Sequence, residues 1–139
     1  MSQSSSASFL SDLVCYTGFS LILCHELDAV LHAEWRVLPV TSFLPESVAY
    51  PVFVLMHVPM FVLLFFGIAA TSEQVRRYTK VGVSAFLVVH AGLHAAFQGH
   101  PHYHFAGWLS NGLIGGAALC GLLYLALIWR QRRVQAMGA

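Results

Sequence analysis

The chain of 139 residues is 58% apolar and 9% charged with a formal net charge of +1, which excludes an ordinary water-soluble globule and leaves no basic surface for nucleic acid. Crossing the ~30 Å hydrocarbon layer takes about 20 mainly apolar residues, so a chain this short has room for at most four or five crossings. Cys15, Cys24 and Cys120 are odd in number and lie in apolar stretches, so they read as packing residues rather than a disulfide or CxxC metal framework.

Residues 1–8 are rich in serine and carry no positive side chain, which reads as a disordered cytoplasmic tail rather than a cleaved signal. Residues 9–133 then form one four-helix transmembrane domain, with 134–139 as a second cytoplasmic tail. The four predicted crossings are Phe9–Trp35, Val48–Ala70, Val81–Phe97 and Phe105–Trp129, an all-α transmembrane bundle. Pro39, Pro45, Pro51, the pair Thr71 and Ser72, and Pro101 punctuate the connections. Trp35, Trp108 and Trp129 fall near helix ends, where amphipathic rings favour the interface. One side of such a bundle holds Arg76, Arg77, Lys80, Arg130, Arg132 and Arg133, and the other only Arg36, which predicts both termini in the cytoplasm of a cell inner membrane. The last crossing carries Gly112, Gly115, Gly116 and Gly121, including a GxxxG that suits helix packing or a homo-oligomer contact.

Eight histidines stand out in so apolar a chain, outnumbering the seven lysines and arginines. On a helix of ~100° per residue, His25, Asp28 and His32 share an arc of roughly 60°, with Glu26 ~100° from His25 and Glu34 on the opposite face. Glu34 and Arg36 therefore read as an interfacial ion pair or headgroup contacts. The second crossing supplies His57, two residues before Pro59, whose missing N–H frees a backbone carbonyl. The third supplies His90 and His94, one turn apart on one face, an HxxxH pair. Counting ~1.5 Å per residue from the outer helix ends puts His25, His57 and His90 at one depth, roughly 10 to 15 Å below the outer interface. His94, Asp28 and His32 lie further out, and His100, His102 and His104 occupy the outer connection as a possible accessory metal loop.

A carboxylate near the bilayer centre costs several kcal/mol unless it is protonated, paired or coordinated. Imidazole is the commonest protein ligand of zinc, copper and iron, and carboxylates extend the preference toward iron, manganese and zinc. The candidate metal set is thus His25, Asp28, His32, His57, His90 and His94, with Glu26 as the catalytic residue that bridges ions or accepts a proton. Six candidate ligands exceed the need of one tetrahedral site and favour two metals over one.

The runs His25-Glu26-Leu27-Asp28-Ala29, Glu34-Trp35-Arg36, His57-Val58-Pro59 and His90-Ala91-Gly92-Leu93-His94 resemble a family of small bacterial four-helix membrane proteins. That resemblance implies the fold and a bacterial membrane location, and carries no activity. The HxxxH at His90 and His94 is similar to one motif of the histidine-box membrane desaturases and hydroxylases, whose HxxHH is absent here. The combination of His57, His90, His94 and Asp28 is similar to the zinc set of the ceramidase and progestin-receptor type of membrane hydrolase, which has seven helices.

The leading expectation is an oxidoreductase with a mononuclear or dinuclear non-haem iron or copper centre, acting on a lipid, quinone or other apolar molecule that enters between helices. The alternatives are a zinc hydrolase with Glu26 as general base, a b-type haem protein ligated by His25 or His57 with His90, and a metal carrier or sensor with His100, His102 and His104 as its capture loop.

Overall fold

The computed structural model describes residues 3–137 and is all-helical there: α1 (Gln3–Leu31), α2 (Glu46–Ile68), α3 (Glu73–Phe97) and α4 (Trp108–Met137). Each helix contains a segment long and apolar enough to cross a membrane. Helix α1 begins inside the serine-rich stretch read as a tail, and α4 continues through Met137; Met1, Ser2, Gly138 and Ala139 lie outside the described residues. Helix α3 starts at Glu73 rather than Val81 because Ser72 caps it, its hydroxyl accepting from the Val75 N–H at 3.5 Å, with Glu73 in the first turn favouring the positive helix end.

The end of the bundle that carries the α1–α2 and α3–α4 connections is termed outer and the opposite end inner; the largest departure from the sequence reading is at the outer end of α1. The helix stops at Leu31, Ala33 takes a left-handed conformation (φ 53°), and Glu34–Arg36 forms a 3-10 turn. A left-handed residue reverses the winding, so helical phase counted from His25 no longer predicts where Glu34 points.

Helices α1 and α3 both pack along α4, whereas α2 leans on α3 and the turn. Small residues set the closest approaches. A Cβ on Gly18 would lie 2.7 Å from that of Cys120, and one on Gly121 would meet the Ser84 carbonyl. Gly116 packs on Leu21, while Gly112 and Gly115 face open space. Two apolar clusters result, an inner one of Phe19, Ile22, Leu87 and Ala117 and an outer one of Ala29, Trp35, Ala49, Phe53, Phe105 and Ile114. Of the described residues of α2 only Ala49, Phe53 and Gly67 are buried, and Leu55, Leu63 and Phe66 stand exposed on it, a surface suited to lipid and not to water. At the inner end Lys80, 6% exposed, reaches Asp12 at 2.8 Å, and Arg76 pairs with Glu73.

Candidate metal centre

Three helical histidines and one acid from the turn meet beneath the outer end of the bundle. His25 comes from α1, with His90 and His94 from successive turns of α3, and their rings sit 4.6 to 4.9 Å apart between centroids. Glu34 completes the group: its Oε2 is 3.8 Å from His25 Nε2 and its Oε1 3.4 Å from His94 Nε2. One ligand atom from each of the four residues lies within 4.8 Å of all the others. An ion with ~2.0–2.1 Å bonds holds tetrahedral donors ~3.4 Å apart, so small side-chain movements close this set around one ion.

The burial of these groups tests whether an ion fits. Among the described residues, five buried side-chain atoms have no hydrogen-bond partner: His25 Nδ1 and Nε2, His90 Nε2, His94 Nε2 and Asp28 Oδ2. An orphaned buried polar atom costs about 1–3 kcal/mol. Three of the five are Nε2 atoms of the clustered histidines, the kind of atom that binds a metal ion, and those of His25 and His94 lie 3.8 and 3.4 Å from the Glu34 carboxylate. A cavity of about 20 Å³, lined by Glu34, His90, His94, Tyr103 and Phe105 among others, leaves room for one water-sized body beside them.

Neighbouring side chains orient the donors. His94 Nδ1 lies 3.2 Å from the Tyr103 hydroxyl; donating Nδ1–H to that oxygen leaves Nε2 with its lone pair toward the cluster. Burial, followed by the nearby Glu34 carboxylate, pushes the Tyr103 hydroxyl above the ordinary phenol range, so it stays protonated. Phe105, 1% exposed, stands 4.9 Å from the His94 ring and 5.5 Å from the His25 ring and walls off the outer side.

The structure distributes the sequence-predicted residues over separate groups. His25, His90 and His94 come together. His57 pairs with Glu26, Nε2 to Oε2 at 2.8 Å, on the α2 side. Asp28 Oδ1 is 3.3 Å from His32 Nε2, one turn along α1, and Asp28 is 7% exposed. The geometry therefore gathers donors for one ion, not the two that six ligands suggested. His100, His102 and His104 join no group of three or more potential ligands among the described residues; the His100 and His102 rings are 5.7 Å apart and His102 and His104 are exposed.

Glu34 is the residue that sequence reasoning missed. It is 5% exposed and does not pair with Arg36, whose guanidinium instead grips Glu46, Nη2 to Oε1 at 2.8 Å. The turn that delivers Glu34 is fixed by Thr41, whose hydroxyl donates to the Trp35 carbonyl at 2.7 Å, and by the Trp35 indole, which donates to Glu46 Oε1 at 3.0 Å. The one sequence signal for it was an acid beside a tryptophan at a predicted helix end.

The fold and cluster define a class: an all-helical bundle of membrane-capable helices with a buried His/Glu group positioned to bind a metal ion. Residues 11–131 match a family of unknown function, DUF6713, and the chain belongs to that family. No curated protein and no solved structure matches the chain.

Proposed function

We propose that this chain is a membrane metalloprotein in which His25, Glu34, His90 and His94 hold one iron or copper ion, and that it acts as an oxidoreductase on apolar molecules of the lipid phase. The observation that carries the reading is the convergence of three buried, unpartnered imidazole nitrogens on one buried carboxylate. When bound, such an ion supplies reversible one-electron chemistry. The chain's own part is to bind it through these four groups, to orient His94 through Tyr103, and to exclude water with Phe105.

The same geometry weighs against two alternatives. Were all four groups to bind a zinc ion, no position would remain for the water that hydrolysis needs, and Glu26, the expected general base, is engaged with His57. A haem macrocycle does not fit beside the histidines in a cavity of about 20 Å³. The closed donor set does favour one second reading, a structural zinc site. Elemental analysis of the purified protein with an absorption spectrum tests the proposal: one iron or copper per chain without a Soret band is expected. Stoichiometric zinc alone would establish the second reading, and absence of any metal would overturn both.

Charge asymmetry supports an orientation with both termini cytoplasmic and the cluster toward the extracytoplasmic side, since Arg76, Arg77, Lys80, Arg130, Arg132 and Arg133 lie toward one end and Arg36 toward the other. A C-terminal reporter active only in the cytoplasm checks this by its signal.

A further inference from the structure

The cluster leaves Glu26, a carboxylate within the α1 span, without a role. Glu26 and His57 form the floor of a cleft of about 310 Å³ between α1 and α2, otherwise lined by apolar side chains including Val30, Val54, Val58 and Phe61. A second apolar cleft of about 260 Å³, bounded by Phe19, Met60 and Phe86, shares Glu26 and Phe61 with the first. Both volumes are near the lower end of small-molecule sites. Because α2 packs on α3 and the turn and makes few close contacts with α1, the α1–α2 seam is open from the side, toward lipid.

Hydrogen-bond inventory defines what the floor offers. The Phe53 carbonyl can only accept, so its 2.6 Å contact with His57 Nδ1 fixes a hydrogen on that nitrogen. The 2.8 Å contact between His57 Nε2 and Glu26 Oε2 then requires one hydrogen shared between those two atoms, from whichever side it comes. His57 is thereby saturated, and Glu26, whose side chain is 16% exposed, keeps a second oxygen able to accept from whatever enters the cleft. An acceptor that faces hydrocarbon is costly to leave without a donor. A hydroxyl donor on an otherwise apolar body satisfies it, and the ring of Phe61, 5.7 Å from that of His57, gives an aromatic wall for a flat partner.

We propose that the α1–α2 cleft is a lateral binding site for an aromatic alcohol of the quinol type, its hydroxyl donating to Glu26 and its ring lying against Phe61. This deepens the reading above by giving the centre a substrate class, and Glu26 adjoins His25 in the chain, so such a ligand would lie beside the metal-binding helix face. Binding itself needs no metal.

The test therefore uses metal-free protein in lipid nanodiscs. A short-tailed benzoquinol and its dimethyl ether, which keeps the ring and lacks the donor, are compared by equilibrium dialysis. Saturable quinol binding is expected, with the ether weaker by roughly tenfold or more, the effect of one hydrogen bond to a charged or strongly polar group. Glu26→Leu should reduce quinol affinity to the level of the ether while the protein still takes up metal, and Val54→Trp should abolish binding of both by filling the cleft. Equal affinity for quinol and ether, unchanged binding by Glu26→Leu, or the unsaturable partition expected of lipid chains alone overturns the proposal. The probe comparison on unmodified protein decides the matter even if a variant fails to fold. Lost quinol selectivity with normal metal content sinks this inference alone; quinol binding in a protein that never takes up metal sinks the metal reading alone.

Discussion

The inner and outer halves of the bundle handle buried polarity in opposite ways. In the inner half Lys80 is neutralised by Asp12, the Ser11 hydroxyl donates to the Ser8 carbonyl at 2.8 Å, and Cys15 Sγ rests 4.0 Å from Ser84 Oγ. In the outer half all five unpartnered buried side-chain atoms among the described residues are gathered on His25, Asp28, His90 and His94. Bare buried groups cost stability, and their concentration at one end is what supports the metal reading proposed above.

This contrast can be broken from either side. The largest effect is expected at the outer end: His90→Ala should lower metal affinity more than ~100-fold, while His104→Ala leaves metal content near that of the unmodified protein, both read by elemental analysis after dialysis. Tyr103→Phe removes only the partner of His94 Nδ1 and should weaken metal binding about 10- to 100-fold, measured by competition with a chelator. At the inner end Gly121→Ala pushes a methyl group against the Ser84 carbonyl and should destabilise the bundle by about 1–3 kcal/mol, seen in thermal unfolding in detergent with metal affinity retained. The smallest effect belongs to the exposed Arg36–Glu46 pair: Arg36→Ala should leave the unfolding temperature almost unmoved. If Gly121→Ala instead stripped the metal while His90→Ala spared it, the division of labour between the halves would be wrong.

Much of this was legible in the sequence. Apolar runs of spanning length define the four helices, because backbone in lipid has little choice, and the HxxxH spacing puts His90 and His94 on one face by helical period alone. His25 followed from depth. What the sequence could not give was lateral position: residue counting assigns His57 the same depth as His25 and His90, yet it lies on α2 and pairs there with Glu26 of α1. Glu34 was misplaced for a local reason, since helical phase was carried past Leu31, where the helix ends. Neither departure concerns residue type; both arise where tertiary packing or one backbone torsion decides among equal prospects.

The turn after α1 has a mechanical consequence. Glu34 is held by a segment whose Trp35 and Arg36 are both fastened to Glu46, the first residue of α2. The helix least embedded in the bundle is thus tethered to the one cluster donor that no helix carries. Any outward swing of α2 that takes Glu46 with it tugs on that donor, so whatever wedges the α1–α2 seam apart is felt at the cluster through a tether rather than through the packed core.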